Sequence, residues 1–553
     1  MSNFEQKIYK AVKAAVKEAF DLEAEEALLV VETPKDPKLG DYATSAAMKL
    51  ARTLRKNPLE IAEALAAKLR ELLPEAESVT VARPGFINFR LKNTALTALI
   101  NQVIDAGDDY GKNESGKGKK VLVEWVSANP TGELHCGHAR NAAWGDCICR
   151  LMEASSWDVL REYYVNDAGN QIVMLGKSLE ARYFEHFGRD DHPLPEDGYH
   201  AADVKRIAGE IAERDGDKWL NAEAGERLEY FMQEGKKREL EKIDRDLKLY
   251  GVRIQSWMHE TFFYENGKKR INDCLALMAS RGLTYEKDGA LWFKSTDYGD
   301  DKDRVLRKSD GTLAYMTPDI ANHVYKIERG YPLLVDLWGA DHHSYVTRMQ
   351  AALTALGYPA GTLSVDLIQM VRMVEDGKEV KMSKRTGNAI TLRELCEDIG
   401  VDAARWFFAS KDVSTHMDLD LKLARSRDNN NPVYYAQYAH SRMCSILSNP
   451  KMPRFERQES YDRLTDEKEL QLLKMIGEFP AEVANDALLR KPNKLTDFIL
   501  AMVKVFHSYY NSTKVMNPDD PALTNQRLGL ILATRITLKN ALALIGVSAP
   551  ESM

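Results

Sequence analysis

The sequence predicts α/β domains followed by an all-α domain, and three observations along the chain predict this order. Helical and β-rich runs are mixed over residues 1–110, a new apolar strand opens at Lys120, and apolar residues recur with helical spacing toward the C-terminus. A chain of 553 residues is long enough for several domains. We therefore predict domains at residues 1–112, 119–395 and 429–553, with a connecting segment at 396–428.

The first domain is predicted to be a small α/β unit. Helical patterns cover residues 4–20 and 42–73, the second interrupted near Pro58, and short β-rich runs follow at 78–82 and 86–91. A linker rich in Gly, Lys and Ser covers residues 113–120. Its glycine-lysine run nearly matches a phosphate-binding loop, but it lacks the final Ser or Thr and precedes a strand, so we interpret it as a linker.

The second domain is predicted to contain a parallel sheet. A strand from Lys120 leads into a helix from about His138 to Glu153, and a second strand follows at 159–165. Strand, helix and strand at this spacing indicate a βαβ unit. A charged, helical stretch at about 180–250 is predicted to be an insertion, and further strand patterns lie at 290–293 and 333–338.

The chain is predicted to be almost wholly helical after Arg393. Apolar residues approximate a 3.6-residue stripe from Leu528 to Ile545, which indicates an amphipathic helix packed on a helical bundle. Residues 430–553 are slightly basic on an otherwise acidic chain of net charge −7. This segment can bind RNA through a local basic stripe, although an ordinary solvated surface explains the charge equally well.

The composition excludes several other classes of protein. No stretch approaches eighteen uncharged apolar residues, which predicts no membrane span, and the charged N-terminus predicts no secretory signal. The 6 cysteines are sparse and irregularly spaced. Reduced cytoplasmic thiols are therefore expected, without a structural metal.

One candidate site is the tetrapeptide His135-Cys-Gly-His138, which follows the strand and opens the helix. A helix N-terminus favours phosphate, and Gly137 allows close approach of a ligand to the backbone. His135 and His138, three residues apart, can both donate hydrogen bonds to a phosphate in the transition state. The alternative is two ordinary histidines at a helix cap.

The other candidate site is the tetrapeptide Lys381-Met382-Ser383-Lys384, which lies between Gly377 and Gly387. Flanking glycines suit a loop that closes over a polyphosphate, where lysine acts as a point charge and the serine adds a hydroxyl donor. A solvated charged loop is the alternative.

Together and in this order, the two tetrapeptides resemble the signatures of the class I aminoacyl-tRNA synthetases. The resemblance implies a Rossmann-like catalytic domain that binds ATP and forms an aminoacyl-adenylate. His135 and His138 would contact the α-phosphate, and Lys381 and Lys384 the β- and γ-phosphates. The resemblance also places Gly137, Met382 and Ser383 at the ATP. Mg²⁺ would bridge the ATP phosphates, without a cage of protein ligands.

The surrounding sequence resembles the bacterial-type arginyl-tRNA synthetases over essentially the whole chain. The string from Glu124 through Asn129 to His135 resembles the extended first signature of that family, and Tyr315-Met-Thr-Pro-Asp319 resembles its Tyr-x-x-x-Asp element. Residues 431–440 and the C-terminal residues 538–551 resemble its anticodon-binding domain. Residues 41–44 and 83–89 resemble the N-terminal tRNA-binding domain of that family.

An arginine pocket needs carboxylates, because a guanidinium is always charged and requires forked acceptors. Asp319 is the main candidate, with Tyr315 one turn earlier if the segment is helical, and Glu260 is a weaker one. The family resemblance places Glu124, Asn129 and His135 at the α-amino and carboxylate ends of arginine. Asp341 and His342 follow a strand, where ligands bind in open α/β sheets, and they are candidates for the adenosine or the amino acid.

For the RNA, aromatic and polar side chains of the helical domain are candidates to contact unstacked bases, and helix packing is their alternative role. The candidates are Asn431, Tyr434, Tyr435, Tyr438 and Arg442, and Tyr509 and Tyr510 offer further aromatic rings.

These resemblances imply a cytoplasmic, monomeric arginine–tRNA ligase that uses L-arginine, ATP and tRNA(Arg), with tRNA bound before arginine is activated. A class I synthetase for another amino acid remains an alternative. A non-catalytic RNA-binding or arginine-sensing paralogue is a second alternative, but such proteins tend to lose the motif histidines or lysines. All four are present here.

Overall fold

The computed structural model describes residues 3–34, 36–380 and 389–553. They form two compact units, one made of residues 1–115 and 427–553 and the other of residues 116–426. This division is coarser than the predicted domains, whose boundaries stay a prediction.

The N-terminal part of the first unit is an antiparallel sheet with helices. Its strands are β1 Val31–Glu32, β2 Tyr42–Thr44, β3 Ala76–Ala82 and β4 Phe86–Leu91, in the order β1-β2-β4-β3. Its helices are α1 Asn3–Phe20, α2 Ala46–Leu54, α3 Pro58–Leu72, α4 Asn93–Thr97 and α5 Leu99–Ala106. The predicted helical pattern at 42–73 is therefore wrong at its start. The short strand β2 lies there, buried against β4.

The second unit is built on a five-stranded parallel sheet of order β12-β11-β5-β6-β7. Its strands are β5 Lys120–Glu124, β6 Asp158–Val165, β7 Ser256–His259, β11 Leu333–Gly339 and β12 Leu363–Ile368. The helix predicted after the first strand is α6 Cys136–Ala154, which connects β5 to its parallel neighbour β6. The βαβ unit is thus confirmed.

Charged helices fill the interval between β6 and β7, which agrees with the charged helical stretch predicted there. They are α7 Asn170–His186, α8 Ala202–Asp215 and α9 Ala224–Leu249. They enclose an apolar core of their own, which includes Leu179, Ile211 and Phe231.

The remainder of the second unit adds small sheets and helices around the parallel sheet. The strands are β8 Thr284–Lys287, β9 Ala290–Phe293, β10 Arg304–Arg307, β13 Val371–Glu375, β14 Lys378–Glu379 and β15 Met417–Asp420. The helices are α10 Glu265–Ser280, α11 Met316–Glu328, α12 His343–Ala355, α13 Leu392–Ile399, α14 Val401–Ala409 and α15 Leu421–Arg425. Strand β15 pairs with β13 and interrupts the stretch that was predicted to be helical after Arg393.

The C-terminal part of the first unit is a helical bundle. Its helices are α16 Pro432–Leu447, α17 Glu467–Leu489, α18 Pro492–Ser512 and α19 Pro521–Leu544. The predicted amphipathic stripe describes α19 only in part. The helix also buries polar positions such as Thr534, Thr537 and Asn540, because helices of the same unit pack on several of its faces.

Within the part of the chain that the structure describes, no helix is long and apolar enough to cross a bilayer. Likewise, the described residues bring no three His, Cys, Asp or Glu side chains together as ligands for a metal ion.

Candidate active site

Several candidate residues that the structure describes in the second unit follow strands that end at one edge of the parallel sheet. Strands β5, β7 and β11 end at Glu124, His259 and Gly339, and the loops that follow carry Asn129, Glu260 and Asp341. The carboxyl ends of parallel strands form the ligand-binding edge of an open α/β sheet. The fold therefore brings together residues that are far apart in sequence.

The two histidines of the first signature form the N-terminal cap of α6. The His135 Nδ1 accepts a hydrogen bond from the Gly137 N–H at 3.1 Å, and the His138 Nδ1 accepts one from the His135 N–H at 3.2 Å. The rings stack with their centroids 3.9 Å apart. The cap and the candidate phosphate site are thus the same pair of side chains, so the two interpretations of this motif do not exclude each other.

This geometry fixes the charge and tautomer of both rings. Burial lowers the pKa of both imidazoles, and with a smaller contribution from His135 it lowers the pKa of His138 to about 3. Both rings are therefore neutral near pH 7. Because each Nδ1 accepts a backbone hydrogen bond, the proton lies on Nε2, which is left as a donor at the helix N-terminus.

The second signature lies outside the described residues, but its two flanks are described. The Val380 N–H donates to the Met373 carbonyl at 2.8 Å. On the other side, the Leu392 N–H donates to the Leu134 carbonyl at 2.6 Å, and Thr391 forms an antiparallel bridge with His135. The backbone after the second signature is thus paired with the backbone of the first.

A strained turn connects β5 to Asn129. Val126 and Ser127 have φ of 67° and 39°, and a β-branched residue rarely adopts this left-handed conformation. The Asn141 side chain of α6 accepts from the Val126 N–H at 2.8 Å and donates to the Leu337 carbonyl at 3.0 Å. This one buried amide ties the turn to β11 and holds it in place.

Glu124 is part of a buried charge network that the sequence did not predict. Its carboxylate accepts from the Ser127 hydroxyl at 3.0 Å and from the Lys326 ammonium at 2.6 Å. Lys326 also lies 3.1 Å from Asp336, whose carboxylate contacts His323 at 2.9 Å. Burial opposes ionisation of Asp336, but Lys326 and His323 outweigh it and lower the pKa of Asp336. The sequence feature that could have indicated this network was Lys326, a lysine within the mostly buried helix α11.

Asp319 and Glu260 form an acidic pocket. Asp319 lies in the first turn of α11 and accepts a hydrogen bond from the Tyr345 hydroxyl; burial raises its pKa. Glu260 is 8% exposed, and burial together with the charge of Asp319 raises its pKa to about 7. A buried carboxyl whose ionisation is opposed by a neighbouring carboxylate favours the binding of a cation.

Asp167, in the loop between β6 and α7, holds the segment that carries Glu260. Its buried carboxylate accepts from His259 Nδ1 at 2.8 Å, from the Thr261 N–H at 3.0 Å and from Lys236 of α9 at 3.0 Å. Burial opposes its ionisation, but these partners lower the pKa of Asp167 to about 2. The insertion is thereby connected to the acidic pocket. No local sequence pattern indicates this residue.

Three other candidates lie at the rim of the site. Tyr315 precedes α11, one turn before Asp319 as predicted, and is 66% exposed. Asp341 and His342 are exposed in the short turn of helix between β11 and α12, and their side chains lie 3.6 Å apart. Their positions leave them accessible to a ligand at the sheet edge.

The RNA-binding candidates lie on α16 in the first unit. Asn431 is only 3% exposed and caps the helix by accepting from the Val433 N–H, so its side chain has a structural role. The other four, Tyr434, Tyr435, Tyr438 and Arg442, are half-buried.

Arg442 lies beside an open cavity of about 650 Å³ that Tyr510 and Lys514 also line. Its guanidinium stacks over Tyr438 and Tyr510, 5.4 Å from each ring. A cation between aromatic faces can receive an unstacked base and a phosphate. Tyr510 is therefore a candidate contact together with Tyr438 and Arg442, whereas Tyr509 is fully buried.

Comparison with family models matches nearly all of the chain. Residues 6–91 match the arginyl tRNA synthetase N terminal domain, residues 99–442 match the catalytic domain of class I (R) tRNA synthetases, and residues 436–553 match the DALR anticodon binding domain.

Individual relatives agree with these models over the full length. The chain is 48% identical to the arginine–tRNA ligase of Oceanobacillus iheyensis over 553 residues, which is 99% of each chain. It is 49% identical to that of Bacillus subtilis over 545 residues, 98% of each. The arginyl-tRNA synthetase structure of Thermus thermophilus superposes with a TM-score of 0.76 at 23% identity, covering 99% of this chain and 100% of that one, and supports the fold.

Proposed function

The chain belongs to the arginyl-tRNA synthetase family and is an arginine–tRNA ligase, and from this premise we propose which residues carry out its reaction. The observation that carries the assignment is the placement of a neutral histidine pair and an acidic pocket at the same edge of the parallel sheet. We propose that the histidine pair recognises the phosphate and that the acidic pocket recognises the cationic amino acid.

Adenylate formation displaces pyrophosphate from ATP through in-line attack by the arginine carboxylate on the α-phosphorus. This step needs positioning and charge stabilisation more than covalent help from the protein. The Nε2–H groups of His135 and His138 donate to the α-phosphate oxygens as negative charge grows there. Gly137 leaves the backbone open to the nucleotide, and the N-terminus of α6 adds its dipole.

The second signature is proposed to bind the rest of the triphosphate. Lys381 and Lys384 neutralise the β- and γ-phosphates, and Met382 and Ser383 contact the nucleotide beside them. The paired backbones of Thr391 and His135 support this assignment, because they hold residues that follow the second signature in sequence against the first signature. Mg²⁺ would be held by the phosphate oxygens of ATP, where it offsets their charge. Asp341 and His342 are proposed to contact the adenosine from the rim.

Arginine is proposed to bind with its guanidinium between Asp319 and Glu260. Tyr315 covers this end of the pocket from the rim. The α-amino and carboxylate ends reach toward Asn129 and Glu124. Since Lys326 and Ser127 already contact both oxygens of Glu124, an α-ammonium there would share the carboxylate with them.

For the second step, we propose that the first unit binds tRNA(Arg) and that the second unit transfers arginine to the 3′ end. Tyr438, Arg442 and Tyr510 receive anticodon bases, and Tyr434 and Tyr435 extend the same surface. The enzyme is proposed to be a cytoplasmic monomer that requires bound tRNA for activation of arginine.

ATP–pyrophosphate exchange with arginine, run with and without total tRNA, tests the site. We expect exchange only with tRNA, and His138→Ala should lower its rate by about 10²–10³-fold, as for removal of one oxyanion-type donor. His138→Asn, which keeps an N–H, should retain more of the rate. His186→Asn, at the exposed end of α7, is the matched control. Near wild-type exchange by His138→Ala would contradict the assigned role.

The RNA surface has a separate test. Arg442→Ala should raise the KM for tRNA in aminoacylation and leave exchange at saturating tRNA near the wild-type rate. An unchanged KM would remove Arg442 from the RNA surface.

A further inference from the structure

Arg140 is a fully buried arginine of α6, two residues after His138, that the proposed reaction does not yet use. Its guanidinium donates to three backbone carbonyls. Nη1 donates to Gln369 at 2.9 Å and to Thr415 at 3.0 Å, and Nη2 donates to Asp412 at 2.8 Å. Burial lowers the pKa of Arg140 to about 10, although the charge of Asp412 opposes this shift. The side chain therefore stays charged at neutral pH while it holds three peptide groups.

The three carbonyls lie where strands β13 and β15 begin. Gln369 is two residues before β13, and Asp412 and Thr415 precede β15. The two strands start side by side, because Val371 pairs with Met417 in a parallel ladder. One guanidinium therefore holds the start of both strands against α6.

Strand β13 leads toward the second signature. It pairs with β14, and Val380, whose N–H donates to a carbonyl of β13, is adjacent to Lys381 in the sequence. After the signature, Thr391 pairs with His135. The segments before and after the second signature are thus both tied to the segment of the first signature, one through Arg140 and the other through His135.

The proposed reaction depends on the relative placement of the two signatures. The histidines are assigned to the α-phosphate, and the lysines are assigned to the β- and γ-phosphates, which leave as pyrophosphate. In-line displacement relies on positioning, and a misplacement of about 1 Å can lower a rate by about 10²-fold. A contact that fixes one signature against the other therefore affects the rate of this step.

We propose that Arg140 is a positioning residue for adenylate formation, which holds strand β13, and so the entry to the second signature, in place relative to His135 and His138. The proposal rests on the proposed roles of the two signatures. Because it is fully buried, Arg140 acts through the strands and not by contact with a substrate. The step that it affects is the one in which the β- and γ-phosphates are present.

The test is Arg140→Lys in the full-length enzyme. Lysine keeps the charge, but it replaces a planar fork of donors with a single ammonium that cannot reach the three carbonyls in the same geometry. We expect the rate of ATP–pyrophosphate exchange at saturating substrates, with tRNA present, to fall by about 10²-fold. The KM for arginine should not change, because Asp319 and Glu260 lie on other segments.

The second half-reaction distinguishes positioning from a general loss of stability. Transfer of arginine from preformed arginyl-adenylate to tRNA involves no β- or γ-phosphate, so Arg140→Lys should leave the rate of transfer unchanged. A rate of transfer that falls as much as the rate of exchange would show that Arg140 only stabilises the second unit, and it would overturn the proposal.

A double variant tests whether the effect passes through the second signature. Lys384→Ala should itself lower exchange, and Arg140→Lys in that background should lower it little further, because the group that Arg140 positions is gone. Fully multiplicative effects would contradict the proposal. If Lys384→Ala lowers exchange and Arg140→Lys does not, the signature keeps its proposed role and the inference about Arg140 is wrong. If Lys384→Ala leaves exchange unchanged, the proposed role of the second signature itself fails.

Arg150→Lys is the matched control. Arg150 lies on the same helix and donates to the Gly251 carbonyl at 3.1 Å and to the Asp146 carboxylate at 2.6 Å, and both of these partners lie outside β13 and β15. This variant should keep the wild-type rate of exchange. An equal loss in Arg150→Lys and Arg140→Lys would show that the effect does not depend on the two strands, and it would overturn the proposal.

Discussion

The raised pKa of Glu260 predicts that arginine binding depends on pH. With a pKa of about 7, raised by burial and by Asp319, Glu260 is largely ionised above pH 7 and loses its charge as the pH falls below it. We expect the guanidinium of arginine to bind the ionised form of Glu260. We therefore expect the Kd for arginine to rise as the pH is lowered from 8 to 5.5, by up to about tenfold per pH unit. Calorimetric titration across this range measures it.

Glu260→Gln is the informative variant for this prediction. It should bind arginine more weakly at pH 8 and lose most of the pH dependence. A raised carboxyl pKa also means that the folded state binds more protons than the unfolded state between about 4.5 and 7. Stability of the ligand-free enzyme should therefore decrease as the pH rises through this window, and Glu260→Gln should reduce that decrease. A wild-type pH profile in the variant would argue against Glu260 as the titrating group.

The strained turn after β5 is held by the side chain of Asn141. Asn141→Ala leaves the buried Val126 N–H and Leu337 carbonyl without their partner. The expected loss in free energy of unfolding is about 1–3 kcal/mol. Val126→Gly should be close to neutral, because glycine adopts positive φ without strain. Denaturant unfolding of both variants measures the two effects, and equal stability of Asn141→Ala and wild type would show that the amide does not hold the turn.

Residues whose role depends on a short local motif could be predicted from the sequence. Residues whose role depends on contacts across the fold could not. His135, His138 and Asp319 could be found because short motifs carry them. Lys326 contacts Glu124, 202 positions away, so no local pattern indicates the pair.

Whether a whole helix or strand could be predicted from the sequence depended on its length and on its environment in the fold. The strand and helix that flank the first signature were predicted because their patterns are long and regular. Strand β2 has three residues, which are too few to show a two-residue period, so the sequence pattern predicted a helix there. Helix α19 is packed on several faces, so more of its residues are buried than its apolar stripe predicted.

We expect the helices between β6 and β7 to support the active site through Lys236 of α9. Lys236→Met keeps the aliphatic stem but removes the ammonium from Asp167, whose pKa should rise from about 2. Since the residues on either side of Glu260 also bond to Asp167, we expect the KM for arginine to rise several-fold in exchange assays, with a smaller effect on ATP.

A second lysine of the insertion provides the control. Lys205 on α8 pairs with Glu185 at 3.0 Å, and its side chain is 67% exposed. Lys205→Met should change neither KM, because exposed ion pairs contribute little. Equal behaviour of the two lysine variants would show that α9 does not support the pocket.

At the scale of the molecule, the N-terminal and C-terminal segments share one apolar core. Ile100 of α5 is fully buried and lies close to Gly529 of α19, where an added Cβ would come within 3.3 Å of it. The Asn101 side chain donates to the Gln458 carbonyl at 2.7 Å, and the Tyr110 hydroxyl donates to the Ile476 carbonyl at 2.7 Å. The sequence indicated two separate patterns but not this shared core, because the contacts join residues more than 350 positions apart.

The distribution of tryptophan allows this shared core to be tested. All 8 tryptophans lie between residues 125 and 406, within the second unit, so their fluorescence reports on that unit, whereas far-UV circular dichroism reports on the helices of both. Ile100→Ala should lower the free energy of unfolding by about 2–5 kcal/mol through the cavity it leaves. The shift should be larger in the circular dichroism signal than in tryptophan fluorescence. Leu488→Ala, at a 62% exposed position of α17, should shift neither signal. A shift of Ile100→Ala that is the same in both signals would contradict a first unit that unfolds as its own cooperative core.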